Sequence, residues 1–453
     1  MTDPATSQAL HELEAELNSR WPETMIAPSL DRIASLVDLL GEPHRGYPVI
    51  HVAGTNGKTS IARMVDALLT RIGLRVGRYT SPHLQSVTER ISVDGAPISP
   101  QRYVETYRDI EPYVSMVDSA SDVRMSKFEV LTGIAFAAFA DAPVEAAVLE
   151  VGLGGSWDAT NVADGRIAVV GPVSVDHVEY LGTDLAGIAG EKAGIIKPGS
   201  VAILAEQTED VAQVVLRRCV EVDATVARQG LEFGVLERGV AVGGQVLKLQ
   251  GLGGVYDEIF LPLHGAHQAS NAVLALAAVE AFFGAGADRQ LEAEAVRQGF
   301  ASVAVPGRLE RVRSAPSVFL DAAHNPHGAR ALAAALGEEF DFRRLVAVVG
   351  VMADKDAAGI LGALEPVTSE VVLTTNSSPR AMDADKLAAV AREFYGDDRI
   401  VVRPRMDDAV EEAVRLAEEV GDPGEPISGG GVVVTGSVVT AGEARGLFGK
   451  EPA

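Results

Sequence analysis

The apolar residues of the chain fall into two patterns that alternate along its length. Short unbroken apolar runs, such as residues 49–52 and 146–151, are typical of buried strands. Segments with apolar residues at helical spacing follow such runs, as between Ile61 and Leu69. This succession of strands and helices predicts an α/β protein with parallel sheets.

A segment punctuated by Pro and Gly interrupts the pattern after residue 303. We interpret residues 303–316 as a linker between an N-terminal domain, residues 1–303, and a C-terminal domain, residues 304–453. In the second domain helical segments again alternate with strands, which predicts a second parallel α/β unit. These strands are predicted at residues 317–321, 344–350, 369–374, 399–402 and 431–435.

Three further elements are predicted in the first domain. Residues 169–175 have the apolar character of a strand that ends at Asp176 and His177. Residues 200–262 hold shorter β-like runs with glycine-rich hairpin signals. A helix is predicted from Ala269 to Phe283.

Composition narrows the class of protein. The 453 residues are 47% hydrophobic, which is typical of a globular chain, and 63 acidic against 39 basic residues give a net charge of −24. A chain this acidic lacks the basic surplus that a general nucleic-acid or anionic-membrane binder needs. The single Cys219 excludes an internal disulfide framework and a Cys-rich metal site, and we expect it to be a buried apolar residue.

The first 20 residues are polar and acidic, and the chain shows no uninterrupted apolar run of 18 residues. We therefore expect a cytoplasmic protein with neither a signal peptide nor a spanning helix. We also expect a monomer whose partners are small molecules, with no nucleic acid and no membrane among them.

The segment between the first strand and its helix has the composition of a phosphate-binding loop. It reads Gly54-Thr55-Asn56-Gly57-Lys58-Thr59-Ser60. Backbone N–H groups at a helix N-terminus bind polyphosphates, the lysine reaches the outer phosphates, and the threonine hydroxyl binds Mg²⁺. In the common phosphate loop four residues lie between the first Gly and the Gly-Lys pair. In this chain only two residues lie between Gly54 and Gly57. The alternative is a glycine-rich β-to-α turn without a ligand.

Other polar residues lie where predicted parallel strands end, which is where ligands bind in α/β sheets. A carboxylate at the end of an apolar strand is costly unless it meets a cation, so we expect Glu150 to bind a metal ion. Ser81 and His177 lie at the same edge, with a Ser-Pro turn and a structural histidine as the alternatives. His264 and His267 are interpreted as turn and cap residues, because no third zinc ligand is placed.

The phosphate loop and several later motifs resemble one family of ligases. The segment HVAGTNGKTS has the shortened loop of the Mur ligase superfamily, and it resembles the folylpolyglutamate synthase and dihydrofolate synthase family closely. Ser156-Trp157 stands where this family usually has Arg-Leu, and Ala322 stands where it has Gly. Further matches follow in order from about Pro28 to Ser437, at residues 28–33, 80–84, 149–155, 158–161, 191–195, 267–271, 321–326, 350–356 and 435–437.

The resemblance implies the fold and the roles of individual residues. It implies a P-loop ATPase-like N-terminal domain with a parallel sheet, which binds ATP and folate, and a C-terminal Rossmann-like α/β domain for glutamate ligation. It assigns ATP to the phosphate loop, Asn271, Arg308 and Asp321, and Mg²⁺ to Thr59, Ser81, Glu150, His177 and Lys192, the last as a carbamate. It assigns folate to Ser81, Pro82, His83, Lys127, Phe128, Glu129 and Asp158, and glutamate to His324 and Ser437. It assigns catalysis to Lys58, Lys192, His177, Asp321 and His324.

The implied reaction is ATP-dependent addition of L-glutamate to the carboxylate of a folate or of dihydropteroate, through an acyl phosphate. Two Mg²⁺ sites are expected, with a monovalent cation as a further candidate. One alternative is a peptidoglycan Mur ligase with a uridine nucleotide substrate, and residues 80–83 and 127–129 favour folate over it. The other is a nucleotide-binding module without catalysis. The sequence leaves open whether one or both synthase activities are present, the preferred folate and the product chain length.

Overall fold

A computed structural model describes residues 3–20, 29–284, 286, 289–419 and 429–452. Pro28, the first residue of the motif at 28–33, lies outside them. Within these ranges, no helix has the length and the apolar character needed to cross a membrane.

The strands of the N-terminal part form one mostly parallel sheet. They are β1 (Val49–Ala53), β2 (Val76–Tyr79), β3 (Ile91–Val93), β4 (Ala96–Pro97), β5 (Ala146–Glu150), β6 (Gly165–Val170), β7 (Val201–Leu204) and β8 (Thr225–Arg228). Their order is β4-β3-β2-β5-β1-β6-β7-β8, and every pair from β2 to β8 is parallel. The central strands β1 and β5 are buried along their whole length, as expected for a parallel sheet with helices on both faces.

Helices cover both faces of this sheet. The helices of this part of the chain are α1 (Pro4–Ser19), α2 (Asp31–Leu39), α3 (Lys58–Ile72), α4 (Pro100–Ala120), α5 (Lys127–Asp141), α6 (Val178–Leu181), α7 (Leu185–Ala193) and α8 (Glu209–Glu221). Helix α3 packs on one face, and α1, α2, α4 and α5 share a core with the other. Helices α7 and α8 cover the strands at the far end, where Cys219 is buried as expected. Short 3-10 helices cover Pro43–Arg45, Val87–Arg90 and Ala159–Val162.

A small antiparallel sheet follows, as the glycine-rich hairpin signals predict. Its strands are β9 (Gly234–Ala241), β10 (Gly244–Gln250) and β11 (Val255–Leu261), followed by α9 (Ala266–Phe282) and α10 (Ala293–Ala301). Helix α9 shares the core on the α3 side of the large sheet.

The C-terminal part is a second α/β unit. Its elements are β12 (Glu310–Ser314), β13 (Ser317–Leu320), α11 (Pro326–Glu339), β14 (Arg344–Val349), α12 (Ala357–Leu364), β15 (Glu370–Leu373), α13 (Ala384–Tyr395), β16 (Ile400–Val402), α14 (Met406–Glu418), β17 (Gly430–Thr435) and α15 (Val438–Leu447), with a 3-10 helix at Glu365–Val367. The strand order is β12-β13-β17-β14-β15-β16, and every pair is parallel except β12 with β13. Helices α11 to α13 cover one face, and α14 and α15 cover the other.

The α/β class with two mostly parallel sheets is confirmed, and three boundaries differ from prediction by more than one residue. The strand expected at residues 169–175 is β6, which ends at Val170 because Gly171-Pro172 follows and proline has no N–H for the ladder. Part of the linker predicted at residues 303–316 is β12, an edge strand whose charged residues hide its strand character. The helix predicted from Ala269 begins earlier, at Ala266.

Candidate active site

Sheet order brings the predicted residues of the first unit together. The phosphate loop follows β1, Ser81 follows β2, Glu150 ends β5, and His177 comes after β6. Because β2, β5, β1 and β6 are successive parallel neighbours, their carboxyl ends lie side by side at one edge.

The C-terminal unit contributes the opposite wall of the same cleft. Asp321 follows β13, Ser437 follows β17 and Lys355 comes after β14, and these three strands are also successive neighbours. The two edges enclose a cavity of about 1270 Å³. The predicted site residues line this cavity except Gly54 and Lys192, which line a small cavity beside it that also touches Lys58 and His177.

The phosphate loop has the geometry that its glycines predict. Gly57 lies in the left-handed region, with φ 84°, and a Cβ there would lie 2.6 Å from Asn271 Oδ1. Position 57 therefore requires glycine for both its backbone conformation and this close approach. Lys58 Nζ donates to the carbonyls of Gly54 and Thr55 at 3.0 and 3.2 Å. Burial lowers the pKa of Lys58, although the Glu150 carboxylate opposes the change.

Glu150 lies at the centre of an oxygen-rich cluster. Its carboxylate accepts the Thr59 hydroxyl at 2.9 Å and the Ser81 N–H at 3.3 Å. Burial raises the pKa of Glu150, and the Lys58 ammonium is the largest opposing influence. In the part of the chain that the structure describes, three or more His, Cys, Asp or Glu side chains nowhere cluster as a metal site would require. Hydroxyl and carboxylate oxygens that leave room for water and phosphate are nevertheless the donor set that suits Mg²⁺.

His177 and Lys192 approach the phosphate loop from the other side. His177 adopts a left-handed backbone, with φ 51°, and 40% of its side chain is exposed in the cleft. Partial burial and the ammonium groups of Lys355 and Lys58 lower the pKa of His177 against the pull of Asp176, which favours the neutral imidazole that metal ions bind. Lys192 is 5% exposed, and burial together with the charge of Lys58 lowers its pKa to about 7.

Asp176 joins the two units, a role that its position before His177 did not reveal. Its carboxylate accepts Lys355 Nζ at 2.7 Å and Asn325 Nδ2 at 2.8 Å, both from the C-terminal unit, and His324 Nε2 lies 3.6 Å away. Burial acts to raise the pKa of Asp176, but the neighbouring His324 and His177 side chains and the Lys355 ammonium hold it far below its usual range. The sequence offered one signal, which is that Lys355 lies in the matched segment 350–356.

The phosphate loop itself also contacts the C-terminal unit. Asn56 forms a side-chain hydrogen bond with His327 Nδ1 at 3.0 Å, and Asn325 Nδ2 donates to Asn56 Oδ1 at 3.2 Å. Asn325 also stands at the start of helix α11. It does cap α11, since its side chain accepts the Gly328 N–H, but its amide group is used between the units.

Asp321 shapes the turn that carries Arg308. Its two carboxylate oxygens accept the N–H groups of Leu309 and Ala323, each at 2.8 Å. Burial raises the pKa of Asp321, and the Arg308 guanidinium is the largest opposing influence. Ser437 is the N-cap of α15 and accepts the Thr440 N–H at 3.0 Å.

The residues assigned to folate line one end of the cavity, where two glycines admit aromatic rings. A Cβ on Gly152 would lie 2.6 Å from the Phe128 ring, and one on Gly154 would lie 2.8 Å from Trp157. Trp157, which departs from the family pattern, is thus part of this wall.

Some polar groups at this end are already occupied by protein donors. Glu129 accepts Arg32 Nε at 2.9 Å and also completes a capping box at the start of α5. Asp158 accepts the N–H groups of Gly152 and Leu153 at 3.0 and 2.9 Å. Direct folate contacts from these two carboxylates stay a prediction, because in the structure they hold the wall in shape. His83 Nδ1 accepts Arg90 Nε at 2.9 Å, and Lys127 Nζ donates to Asn18 at 2.7 Å.

Comparisons with known proteins match both parts of the chain to known domains. Residues 52–279 match the model of the Mur ligase middle domain, and residues 307–437 match that of the Mur ligase glutamate ligase domain. The chain is 60% identical to a Mycobacterium tuberculosis dihydrofolate synthase/folylpolyglutamate synthase, over 99% of this chain and 96% of the relative. The chain belongs to the folylpolyglutamate synthase/dihydrofolate synthase family.

Solved members of the family have the same fold. A Mycobacterium tuberculosis folylpolyglutamate synthase complexed with ADP matches with a TM-score of 0.95 and 59% identity, over 99% of this chain and 100% of that one. An Escherichia coli structure in complex with DHPP and ADP matches with a TM-score of 0.82 and 29% identity, over 98% and 97% of the two chains.

Proposed function

We propose that this protein is an ATP-dependent ligase that joins the amino group of L-glutamate to the carboxylate of a folate or of dihydropteroate. The observation that carries the proposal is one cavity in which the phosphate loop and Glu150 face Asp321, His324 and Lys355 of the other unit. A ligase needs such a cleft, because ATP and both substrates must meet where water is excluded.

The chemistry proceeds in two steps. A carboxylate oxygen of the folate-type substrate bonds to the γ-phosphorus of ATP as the bond to ADP breaks, which gives an acyl phosphate. The glutamate amine then attacks the acyl carbon, loses a proton and expels phosphate as the amide forms. The loop N–H groups and Lys58 neutralise the phosphates, and Arg308 and Asn271 hold the nucleotide.

Mg²⁺ would be held by Thr59, Ser81 and Glu150, with His177 and a carbamylated Lys192 at a second site. When bound, the ions neutralise charge that develops on the phosphate oxygens. The pKa of Lys192 supports carbamylation, because CO₂ reacts with a neutral amine and a pKa of about 7 makes that form available near neutral pH. A monovalent cation remains a candidate.

Glutamate is assigned to His324 and Ser437, and the folate-type substrate to the end of the cavity with Phe128 and His83. The aromatic surfaces of Phe128 and Trp157 suit a flat ring system. The names of the relatives support both dihydropteroate and folate as acceptors, and DHPP with ADP in the Escherichia coli relative supports the same class of substrate. We further propose a cytoplasmic monomer with domains 1–303 and 304–453.

The test is phosphate release from ATP in the presence of L-glutamate, with dihydropteroate in one reaction and tetrahydrofolate in another. Release that requires both glutamate and an acceptor supports the proposal, and the preferred acceptor identifies the activity. In Lys58→Ala, turnover should be lost while binding of the acceptor largely survives. Phosphate release without any acceptor requirement, or with a uridine nucleotide acceptor, would contradict the assignment.

A further inference from the structure

Arg445 is a buried cation that lies outside the cavity and contacts both units. Arg445 of α15 has 7% of its side chain exposed, and its Nε lies 3.0 and 3.2 Å from the two carboxylate oxygens of Glu310. Its Nη1 donates to the side-chain oxygen of Gln85 and to the carbonyl of Glu451. Arg445 therefore bonds simultaneously to the N-terminal unit, to β12 and to the end of the chain.

Gln85 belongs to a segment with a fixed shape, which we call the substrate loop and define as residues 82–86. The N–H groups of Leu84, Gln85 and Ser86 all point at the Glu89 carboxylate, at 2.9, 3.1 and 3.0 Å. The loop follows Ser81 directly, and Pro82 and His83 line the cavity. A shift at Gln85 is therefore transmitted to cavity residues by a short, hydrogen-bonded stretch of backbone.

Glu310 belongs to the other partner, the connecting turn at residues 307–310. Its carboxylate accepts the Gly307 N–H at 2.9 Å as well as the Arg445 guanidinium. Gly307 and Leu309 both have left-handed backbones, with φ 70° and 46°, and for leucine that conformation is strained. Arg308 lies between them and points into the cavity, so contacts that hold the turn also set the position of Arg308.

The loop and the turn also touch directly. A Cβ on Gly307 would lie 3.1 Å from the Leu84 side chain, and one on Gly442 of α15 would lie 2.1 Å from the Leu84 carbonyl oxygen. This packing leaves little room for the loop, the turn and α15 to move independently.

We propose that Arg445 is a positioning residue that couples the substrate loop to the connecting turn through Gln85 and Glu310 and so holds Arg308 in the nucleotide site. The inference rests on the proposed function in that Arg308 is taken to contact the nucleotide. This coupling predicts that removing the hydrogen bond between Gln85 and Arg445, which lies outside the cavity, weakens nucleotide binding at Arg308.

The test measures ADP affinity by titration calorimetry for the full chain, together with KM for ATP and kcat. In Gln85→Leu and in Arg445→Met we expect ADP affinity to fall about fivefold, the lower end of usual coupling between sites, with a KM change larger than the kcat change. Arg445→Lys keeps the charge and should recover part of the loss. Because both substitutions cut the link between Gln85 and Arg445, the double variant should lose no more ADP affinity than the more impaired of the two single variants.

Matched controls separate coupling from general damage. Gln101→Leu removes an exposed glutamine that bonds Glu105 on α4, and Arg415→Met removes an exposed arginine of α14. Both should leave ADP affinity unchanged. If Arg445→Met fails to fold, Gln85→Leu alone decides the result. Wild-type ADP affinity in Gln85→Leu, or strictly additive losses in the double variant, would overturn the inference. A wild-type chain that fails to bind ADP would instead refute the proposed function, and the inference with it.

Discussion

Lys192 is the residue whose environment makes the sharpest prediction. It is buried beside Lys58, and the carboxylates of Asp176, Asp158 and Glu191 do not compensate for its burial, so its pKa falls from 10.5 to about 7. We consider Lys192→Met, which keeps much of the side-chain volume and removes the titrating amine.

The sign and the size of the effect follow from proton linkage. Between about pH 7 and pH 10.5 the unfolded chain binds a proton at Lys192 that the folded protein does not bind. The free energy of unfolding of the wild type should therefore rise with pH relative to Lys192→Met, by about 1.4 kcal/mol per pH unit. Below about pH 7 both states bind the proton, and the difference between the two proteins becomes constant.

The assay is urea unfolding of both proteins at several pH values between about 7 and 9.5, in buffer free of CO₂. The variant Lys386→Met, which removes an exposed lysine of α13, gives the baseline. A constant difference between wild type and Lys192→Met across this range would refute the reasoning, because Lys192 would then be an ordinary ammonium group. A second arm adds bicarbonate, which should raise wild-type ligase activity and leave Lys192→Ala dependent on a short carboxylic acid such as acetate.

Three other predictions test separate parts of the structure. Glu150→Gln should lower activity by orders of magnitude with partial recovery at high Mg²⁺, as measured by phosphate release, because the cluster loses its charge. Asp321→Ala should lose activity while circular dichroism shows an intact fold, since Asp321 lies in a strand-end turn. Gly442→Ala should lower the melting temperature by a few degrees, corresponding to about 1–3 kcal/mol, because its Cβ would meet the Leu84 carbonyl. Gly446→Ala, with its nearest atom 3.8 Å away, should be neutral or slightly stabilising.

The parts of the site that the sequence predicts are those fixed by local order along the chain. A polar residue that ends an apolar parallel strand must face the cleft, so the sequence alone predicts this position for Ser81 and Glu150. The glycines of the phosphate loop were equally informative, because Gly57 needs both its left-handed backbone and its contact with Asn271. Edge strand β12 escaped prediction because charged residues on an exposed strand break the apolar run.

The contacts between the two units were not predictable in the same way. Asp176 and Lys355 are 179 residues apart in sequence, and neither residue has a local pattern that names its partner. Arg445 lies in an ordinary helical segment, where an arginine usually faces solvent, and only the structure shows that it is buried against Glu310. Side-chain contacts between the two units depend on how one folded unit packs against the other. The hydrophobic periodicity of either unit carries no information about that packing.

The polar character of these contacts favours one arrangement of the two units over others. An apolar interface tolerates sliding, whereas a buried charge that loses its partner costs several kcal/mol, about 3–5 in typical cases. Ion pairs tie the units together at separate points around the cleft, so a misaligned closure would leave more than one buried charge unpaired. The ion pairs are Asp176 with Lys355 and Arg238 with Glu339, and the hydrogen bond from Arg445 to Gln85 adds a third point of contact. Since acyl transfer requires atoms of both units to be held within a fraction of an ångström, this penalty on misalignment is what converts domain docking into a defined active site.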